Sequence, residues 1–155
     1  MCDYSLYSVQ NRLAEDGEEL VLHRFETSTL GFVSASDLVN WECARKSDSG
    51  FWSTMREWLL PRQTRRLPAV CIPPGTLLQL SEVPVDTQAF LSIGSSEIVT
   101  FDEISSRSYS YRDALCLSDG TRVLLQDLPA GIHALVLPAS PEPVYEPVPA
   151  RVRAA

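Results

Sequence analysis

Two thiols and two imidazoles in this chain could together form a metal site. Cys2, Cys71 and His133 lie on or beside predicted strands, and His23 is the only other histidine. Thiolate and imidazole groups are good ligands for zinc or iron, and they can be distant in sequence when a β-barrel brings its strands together. The alternative is structural. A cysteine in an apolar strand behaves as a small hydrophobic side chain, and His133 could be a core histidine with one hydrogen bond.

A second candidate site lies in segment 34–66, which contains all three tryptophans. We predict a helix over 37–44, capped by Ser34 or Ser36, and a second helix from Ser49 to Leu60 that Pro61 ends. Trp and Arg are typical anchors of protein interfaces. The candidate partner-binding residues are Trp41, Phe51, Trp52, Trp58, Arg62, Arg65 and Arg66. Alternatively, the apolar face of the second helix packs on the β-domain as a lid, and the basic end is a solvated linker.

Short strands must position both candidate sites. Alternating or apolar runs bounded by turn residues predict strands at 4–9, 19–25, 29–34, 69–72, 77–80, 89–93, 97–101 and 132–137, with a hairpin over 114–125. The long helices that parallel βαβ units require are missing between them. The predicted fold class is therefore mainly β, a compact antiparallel barrel or sandwich with an inserted helical segment.

The chain is expected to form one β-domain over 1–137, with the insertion at about 34–66 and a proline-rich tail over 138–155. The parts before and after the tryptophans should then pair in a common sheet. Asp119-Gly120 predicts a two-residue turn, which sets Leu115 opposite Leu124 in a central hairpin. Asn11 to Gly17 is expected to be a turn.

Charge and composition limit the function classes. The formal net charge of −7 argues against general nucleic-acid binding. No apolar run is long enough to span a bilayer, and the first residues lack the basic start and apolar core of a signal peptide. The expected location is therefore the cytoplasm. The four cysteines match no CxxC-type spacing and are expected to be free thiols.

The usual catalytic signatures are absent from the sequence. It contains no GxSxG elbow, P-loop, GxGxxG or HExxH motif. The adjacent acidic pairs Glu18-Glu19 and Asp102-Glu103 would point to opposite faces of a strand, which does not form a catalytic dyad. A non-enzymatic role is favoured.

Four short motifs resemble a group of small bacterial proteins of uncharacterised function. They are the opening Met-Cys-Asp-Tyr-Ser-Leu, the stretch Cys-Ile-Pro-Pro-Gly-Thr from Cys71, Asp-Ala-Leu from Asp113 with Asp119-Gly120, and Gly131-x-His133-Ala. The resemblance covers 1–33 and 68–137. It implies that 34–66 is an insertion, since shorter members run from the third strand almost directly into the Cys71 strand. It implies no activity and transfers no catalytic residue.

Two functional hypotheses follow. The first is a soluble accessory or interaction protein, which docks onto a larger assembly through its Trp/Arg-rich insertion and tail, with a protein partner or a second copy of itself. The alternative is a Cys/His metal-binding protein or small metalloenzyme, with zinc or iron held by Cys2, Cys71, His133 and His23.

Overall fold

The computed structural model describes residues 9–47, 66–104 and 110–138. The strands are β1 Asn11–Leu13, β2 Glu19–Arg24, β3 Leu30–Ser34, β4 Ala69–Cys71, β5 Leu77–Ser81, β6 Glu97–Glu103, β7 Asp113–Cys116, β8 Arg122–Leu124 and β9 His133–Val136. The two α-helices in these ranges are α1 Ala35–Ser47 and α2 Val85–Leu91, and a 3-10 turn covers Leu125–Asp127.

The nine strands form one mixed sheet curled into a half-barrel, so the prediction of a mainly β fold is confirmed. The strand order is β1-β4-β3-β2-β9-β5-β6-β7-β8. Strands from before and after segment 34–66 pair directly, since Phe32 of β3 is opposite Val70 of β4. The pairing of the two parts in a common sheet is therefore also confirmed. One pair departs from the antiparallel expectation, because β1 runs parallel to β4.

The inner face of the sheet carries the main hydrophobic core. Successive strand residues point to opposite faces, so Leu20 and Leu22 of β2 share the inner face with Leu78 of β5 and Phe101 of β6. All four side chains are almost completely buried. Gln126 closes one end of this core: its amide accepts a hydrogen bond from the Leu30 N–H at 2.9 Å and donates one to the Leu30 carbonyl at 2.8 Å.

A second, smaller core lies on the outer face of the same sheet. Val21 and Val33 are cross-strand partners that point away from the inner core, and both are buried. Leu38 and Trp41 of α1 pack against this cluster. The predicted helix over 37–44 is confirmed and extends further at both ends, and it covers the outer face of β2 and β3.

One predicted strand is a helix. Residues 89–93 were predicted as a strand, but Val85–Leu91 forms α2, which begins after Pro84 in extended backbone and ends at Ser92 in the left-handed region. Pro84 fixes the φ that suits entry to a helix, and Asp86 in the first turn favours the helix dipole. These two features favour a helix here, although the short apolar run predicted a strand.

The hairpin over 114–125 forms with a different register. Leu115 is opposite Val123 rather than Leu124, because the connection is a wider loop in which the Leu117 N–H donates to the carbonyl of Thr121. Gly120 supplies the positive φ within that loop. The hairpin is also not central, since β8 lies at one end of the strand order.

Four further predictions concern the beginning of the chain, segment 34–66 and the tail. The expected turn at 11–17 contains β1 in its first part, because Asn11–Leu13 pairs with β4. The predicted strand at 4–9, except for its last residue, the second helix from 49 to 60 and the tail after 138 all lie outside the described residues.

Two adjacent leucines of β5 test this arrangement of faces. Leu78 is completely buried, whereas Leu77 is 42% exposed on the outer face. We expect Leu78→Ala to lower the free energy of unfolding by about 2–5 kcal/mol, because it leaves a cavity in the inner core. Leu77→Ala should lower it by less than about 1 kcal/mol. Urea denaturation of both variants measures the difference, and equal losses would contradict the assignment of faces.

Candidate functional site

An acidic cleft opens between the β1–β2 loop and the start of α1. It has a volume of about 590 Å³ and is lined by Arg12, Glu15, Asp16, Gly17, Glu18, Glu19, Ser34, Ala35, Ser36 and Asp37. The lining therefore contains five carboxylates and one guanidinium, which gives these residues a formal charge of −4. A cleft of this charge attracts cationic groups and repels anions.

Backbone hydrogen bonds hold the acidic loop of the cleft against β9. The Gly17 N–H donates to the carbonyl of Val136 at 2.9 Å, and the Val136 N–H donates to the carbonyl of Glu18 at the same distance. Gly17 has a φ of +76°, which glycine adopts without a steric penalty. The loop is therefore fixed beside the carboxy-terminal residue of β9.

Arg12 and Glu18 form the central ion pair of the cleft. Arg12 Nη1 donates to Glu18 Oε2 at 3.0 Å, and Nη2 contacts Oε1 of the same carboxylate, so the contact is bidentate. Asp37 lies 3.9 Å from Nη2, and the Glu15 N–H also donates to Glu18. The hydrogen bond from Arg12 is the largest cause that lowers the pKa of Glu18, and burial partly opposes it.

The amino-terminal end of α1 forms the opposite wall. Ser34 is buried, and its Oγ lies 3.0 Å from Ser36 Oγ. Asp37 stands in the first turn of the helix, where a carboxylate interacts favourably with the helix dipole. This wall therefore adds hydroxyl groups and one further carboxylate to the cleft.

His133 lies beside the cleft, between two carboxylates. Its Nδ1 is 3.1 Å from Glu19 Oε1, and its Nε2 is 3.6 Å from Glu82 Oε2. Glu82 has a φ of +55°, which is uncommon for a residue with a side chain. Because the two carboxylates contact different ring nitrogens, they link three neighbouring segments rather than converge on one point. The alternative prediction of a core histidine with one hydrogen bond is therefore wrong about the core, since the side chain is 27% exposed, whereas the one hydrogen bond is present, to Glu19.

His23 packs against aromatic rings. Its ring centroid is 5.4 Å from that of Phe25 and 6.3 Å from that of Trp41, both in edge-to-face geometry. Burial lowers the pKa of His23, and the charge of Glu42 partly opposes this shift. The imidazole is therefore held in an apolar setting that favours its neutral form.

The predicted metal ligands are described only in part. Within the described residues, no group of three or more His, Cys, Asp or Glu side chains could hold a metal ion. Cys2 lies outside these residues, so its part in the predicted set stays a prediction. Cys71 is disulfide-bonded, and a disulfide sulfur is not a thiolate ligand. The expectation of a free thiol is therefore wrong at Cys71, whereas Cys43 and Cys116 are free.

Two of the predicted partner-binding residues lie in the described ranges. Trp41 is half-buried against the outer core, with the guanidinium carbon of Arg45 4.7 Å from its ring centroid. Arg66 is exposed at the point where the chain returns towards β4. The others, Phe51, Trp52, Trp58, Arg62 and Arg65, lie outside the described residues, and their role stays a prediction.

The cleft was not predicted from the sequence. Its parts come from β1, the following loop and the start of α1, and no residue spacing indicates that they meet. The run of four carboxylates in 15–19 was the available signal. Glu18 and Glu19 were expected to point apart, and they do contact different partners, Arg12 and His133.

Comparisons with known proteins do not add a family to this description. The sequence matches no protein-family model, and no curated protein or solved structure shows a significant match. The resemblance to small bacterial proteins stays a prediction. Neither helix within the described ranges has the length and apolar character needed to cross a membrane.

The Arg12–Glu18 pair predicts a specific pH dependence of stability. Because the folded-state pKa of Glu18 is lowered, its contribution is present above the ordinary value of 4.5 and is lost as the pH falls through the folded-state value. We expect Glu18→Gln to reduce the free energy of unfolding by roughly 1 kcal/mol at pH 7 and by much less near pH 3. Urea denaturation across this range measures the effect. Asp16→Asn, which removes an exposed carboxylate from the same loop, is the control, and a constant difference for Glu18→Gln would contradict the pairing.

The states of the cysteines predict a labelling pattern. Cys43 is exposed and free, so it should react with iodoacetamide in the native, non-reduced protein. Cys71 should react only after reduction and unfolding, because its sulfur is in a disulfide. Peptide mass spectrometry identifies the labelled sites, and labelling of Cys71 without a reductant would contradict the structure. Disulfides persist mainly in oxidising compartments, so Cys71 gives no support to the expected cytoplasmic location, which stays a prediction.

Proposed function

We propose that this chain is a small accessory or interaction protein that docks onto a larger assembly through its Trp/Arg-rich segment 34–66 and its proline-rich tail. The observation that supports this most strongly is the way in which α1 packs on the sheet. The helix is fixed to the sheet through Leu38 and Trp41, and the chain continues from its end into the part that carries the other two tryptophans.

The free side of α1 is suitable for a partner. Val39 is 59% exposed, and Glu42, Cys43 and Arg45 are exposed beside it. Arg45 lies over the ring of Trp41, an arrangement that contributes about 0.5–1 kcal/mol at an exposed site and orients the guanidinium. A helix packed on the sheet with an oriented arginine is suitable for an interface, since aromatic and arginine side chains dominate interface energetics.

The described residues do not favour the metal-binding alternative. The carboxylates around His133 contact different nitrogens of its ring, and His23 packs edge-to-face against Phe25 and Trp41. The docking role is supported by chemistry that is present in the sequence, namely three tryptophans and a cluster of arginines, within a chain that lacks catalytic signatures.

Removal of three arginines tests the proposed role. We compare the native mass of the wild-type protein in extract of its own cells with that of Arg62→Ala/Arg65→Ala/Arg66→Ala, by size-exclusion chromatography with antibody detection. The wild type should elute in a complex much larger than its own 17.2 kDa. The triple variant should lose at least about 90% of this complex, because its charged anchors are gone.

Arg24→Ala is the matched control, since Arg24 is exposed on β2 and lies outside segment 34–66. It should leave the complex intact, and all variants should keep the wild-type melting temperature. Elution of the wild type as a monomer would contradict the proposed function, as would a triple variant that keeps the whole complex.

A further inference from the structure

The outer face of the sheet exposes aliphatic side chains where polar ones are expected. In a sheet with one solvated face, the residues that point outwards are normally polar. Here Leu77 of β5, Ile98 of β6 and Leu135 of β9 point outwards and are 42%, 55% and 37% exposed. The alternate residues Leu78, Val99 and Val136 are buried on the inner face.

These exposed side chains are contiguous. Leu135 is the cross-strand partner of Gln79, and Gln79 is the partner of Ile98, so the three form one row across β9, β5 and β6. With neighbouring strands about 5 Å apart, the row is about 10 Å long. Leu77 lies in the next row of the same face, two residues from Gln79. We call Leu77, Gln79, Ile98 and Leu135 the outer strip.

The strip begins where the cover provided by α1 ends. On the same face, α1 packs Leu38 and Trp41 onto β2, β3 and β4. Strand β9 is the next strand after β2 in the sheet, and it carries the first residue of the strip. Within the described residues, one half of the outer face is therefore covered by a helix and the other half is not.

Negative charge borders the strip on its β2 side. Glu19 is the cross-strand partner of Leu135, its side chain is 63% exposed, and it also lines the acidic cleft. Glu82, 71% exposed, adds a carboxylate next to His133. The apolar strip and the cleft, with its formal charge of −4, thus adjoin through Glu19 and form one continuous surface.

We propose that this surface binds a short segment of a partner protein that carries aliphatic side chains followed by Lys or Arg. The aliphatic side chains lie on the outer strip, and the basic side chain reaches past Glu19 into the acidic cleft. Opposite charges at the border steer the encounter and fix the direction of the bound segment. The inference rests on the proposed role as an interaction protein, but it names a surface separate from segment 34–66.

The size of the strip sets the expected strength. Its exposed apolar area is on the order of a few hundred Å², well below that of a stable protein interface. Binding should therefore be weak and transient, with a dissociation constant in the micromolar range or above, and it should weaken as salt rises.

Two synthetic peptides and the purified full chain test the proposal. Both peptides have the same Leu residues, followed by Lys in one and by Glu in the other. In heteronuclear NMR titrations, the Leu/Lys peptide should shift the amide signals of β5, β6, β9 and Glu19, and the Leu/Glu peptide should not. Ile98→Ser/Leu135→Ser should weaken binding of the Leu/Lys peptide at least about 10-fold. Phe90→Ser is the matched control, because Phe90 is 80% exposed on α2 and lies outside the strip.

Each other outcome would overturn the proposal. Equal binding of both peptides, shifts confined to other parts of the chain, or unchanged binding by Ile98→Ser/Leu135→Ser would show that the surface lacks the proposed specificity. Self-association that Ile98→Ser abolishes would show that a second copy covers the strip. The titration uses no cellular assembly. Its failure together with loss of the complex in the Arg62/Arg65/Arg66 variant would therefore reject this surface and leave the proposed function standing.

Discussion

The pairing of β2 with β9 is the contact on which the rest of the described structure depends. This pair divides the strand order into β1-β4-β3-β2, with four strands, and β9-β5-β6-β7-β8, with five. The pairing of β2 with β9 is the seam that joins these two groups. Leu20 is opposite Ala134, and further hydrogen bonds extend the seam at both ends, from Leu22 N–H to the Ile132 carbonyl and from Val136 N–H to the Glu18 carbonyl. The seam closes a separation of more than one hundred residues, which is an entropic cost that burial of the inner core must offset.

The same seam produces the chemistry of the outer face. It places Glu19 opposite Leu135 and within hydrogen-bond distance of His133. One carboxylate therefore belongs at once to the cleft, to the contact with His133 and to the border of the outer strip. A slip of one residue at this seam would reverse the faces of β9 and bury Leu135, because side chains alternate along a strand. Register at this seam thus determines both the core and the exposed surface.

Local patterns in the sequence were sufficient for much of the fold. Apolar runs bounded by turn residues predicted β2, β3, β5 and β6, and a capping serine predicted the helix that is α1. Local patterns failed where capping decided the outcome, as at Pro84 and Ser92 for α2, and where loop closure set the register, as at Thr121.

The candidate site was harder to predict, because contacts distant in sequence create it. Arg12 meets Glu18 and Asp37 only because β1 joins the sheet beside β4, and a parallel edge strand of three residues leaves almost no periodic signal. His133 was identified from its residue type, but its carboxylate neighbours depend on the β2–β9 register and on the turn at Glu82. Exposure of Ile98 could be anticipated only once the inner face was known.

Nuclear Overhauser effects across the β2–β9 seam test this account most directly. The register predicts close backbone contacts between Leu20 and Ala134 and between Val21 and His133 in the native protein. Cross-peaks at these pairs would establish the joint between the two parts of the sheet and the outward direction of Leu135. Their absence, or cross-peaks displaced by one residue, would contradict the account, because the inner core, the cleft and the outer strip all require this alignment.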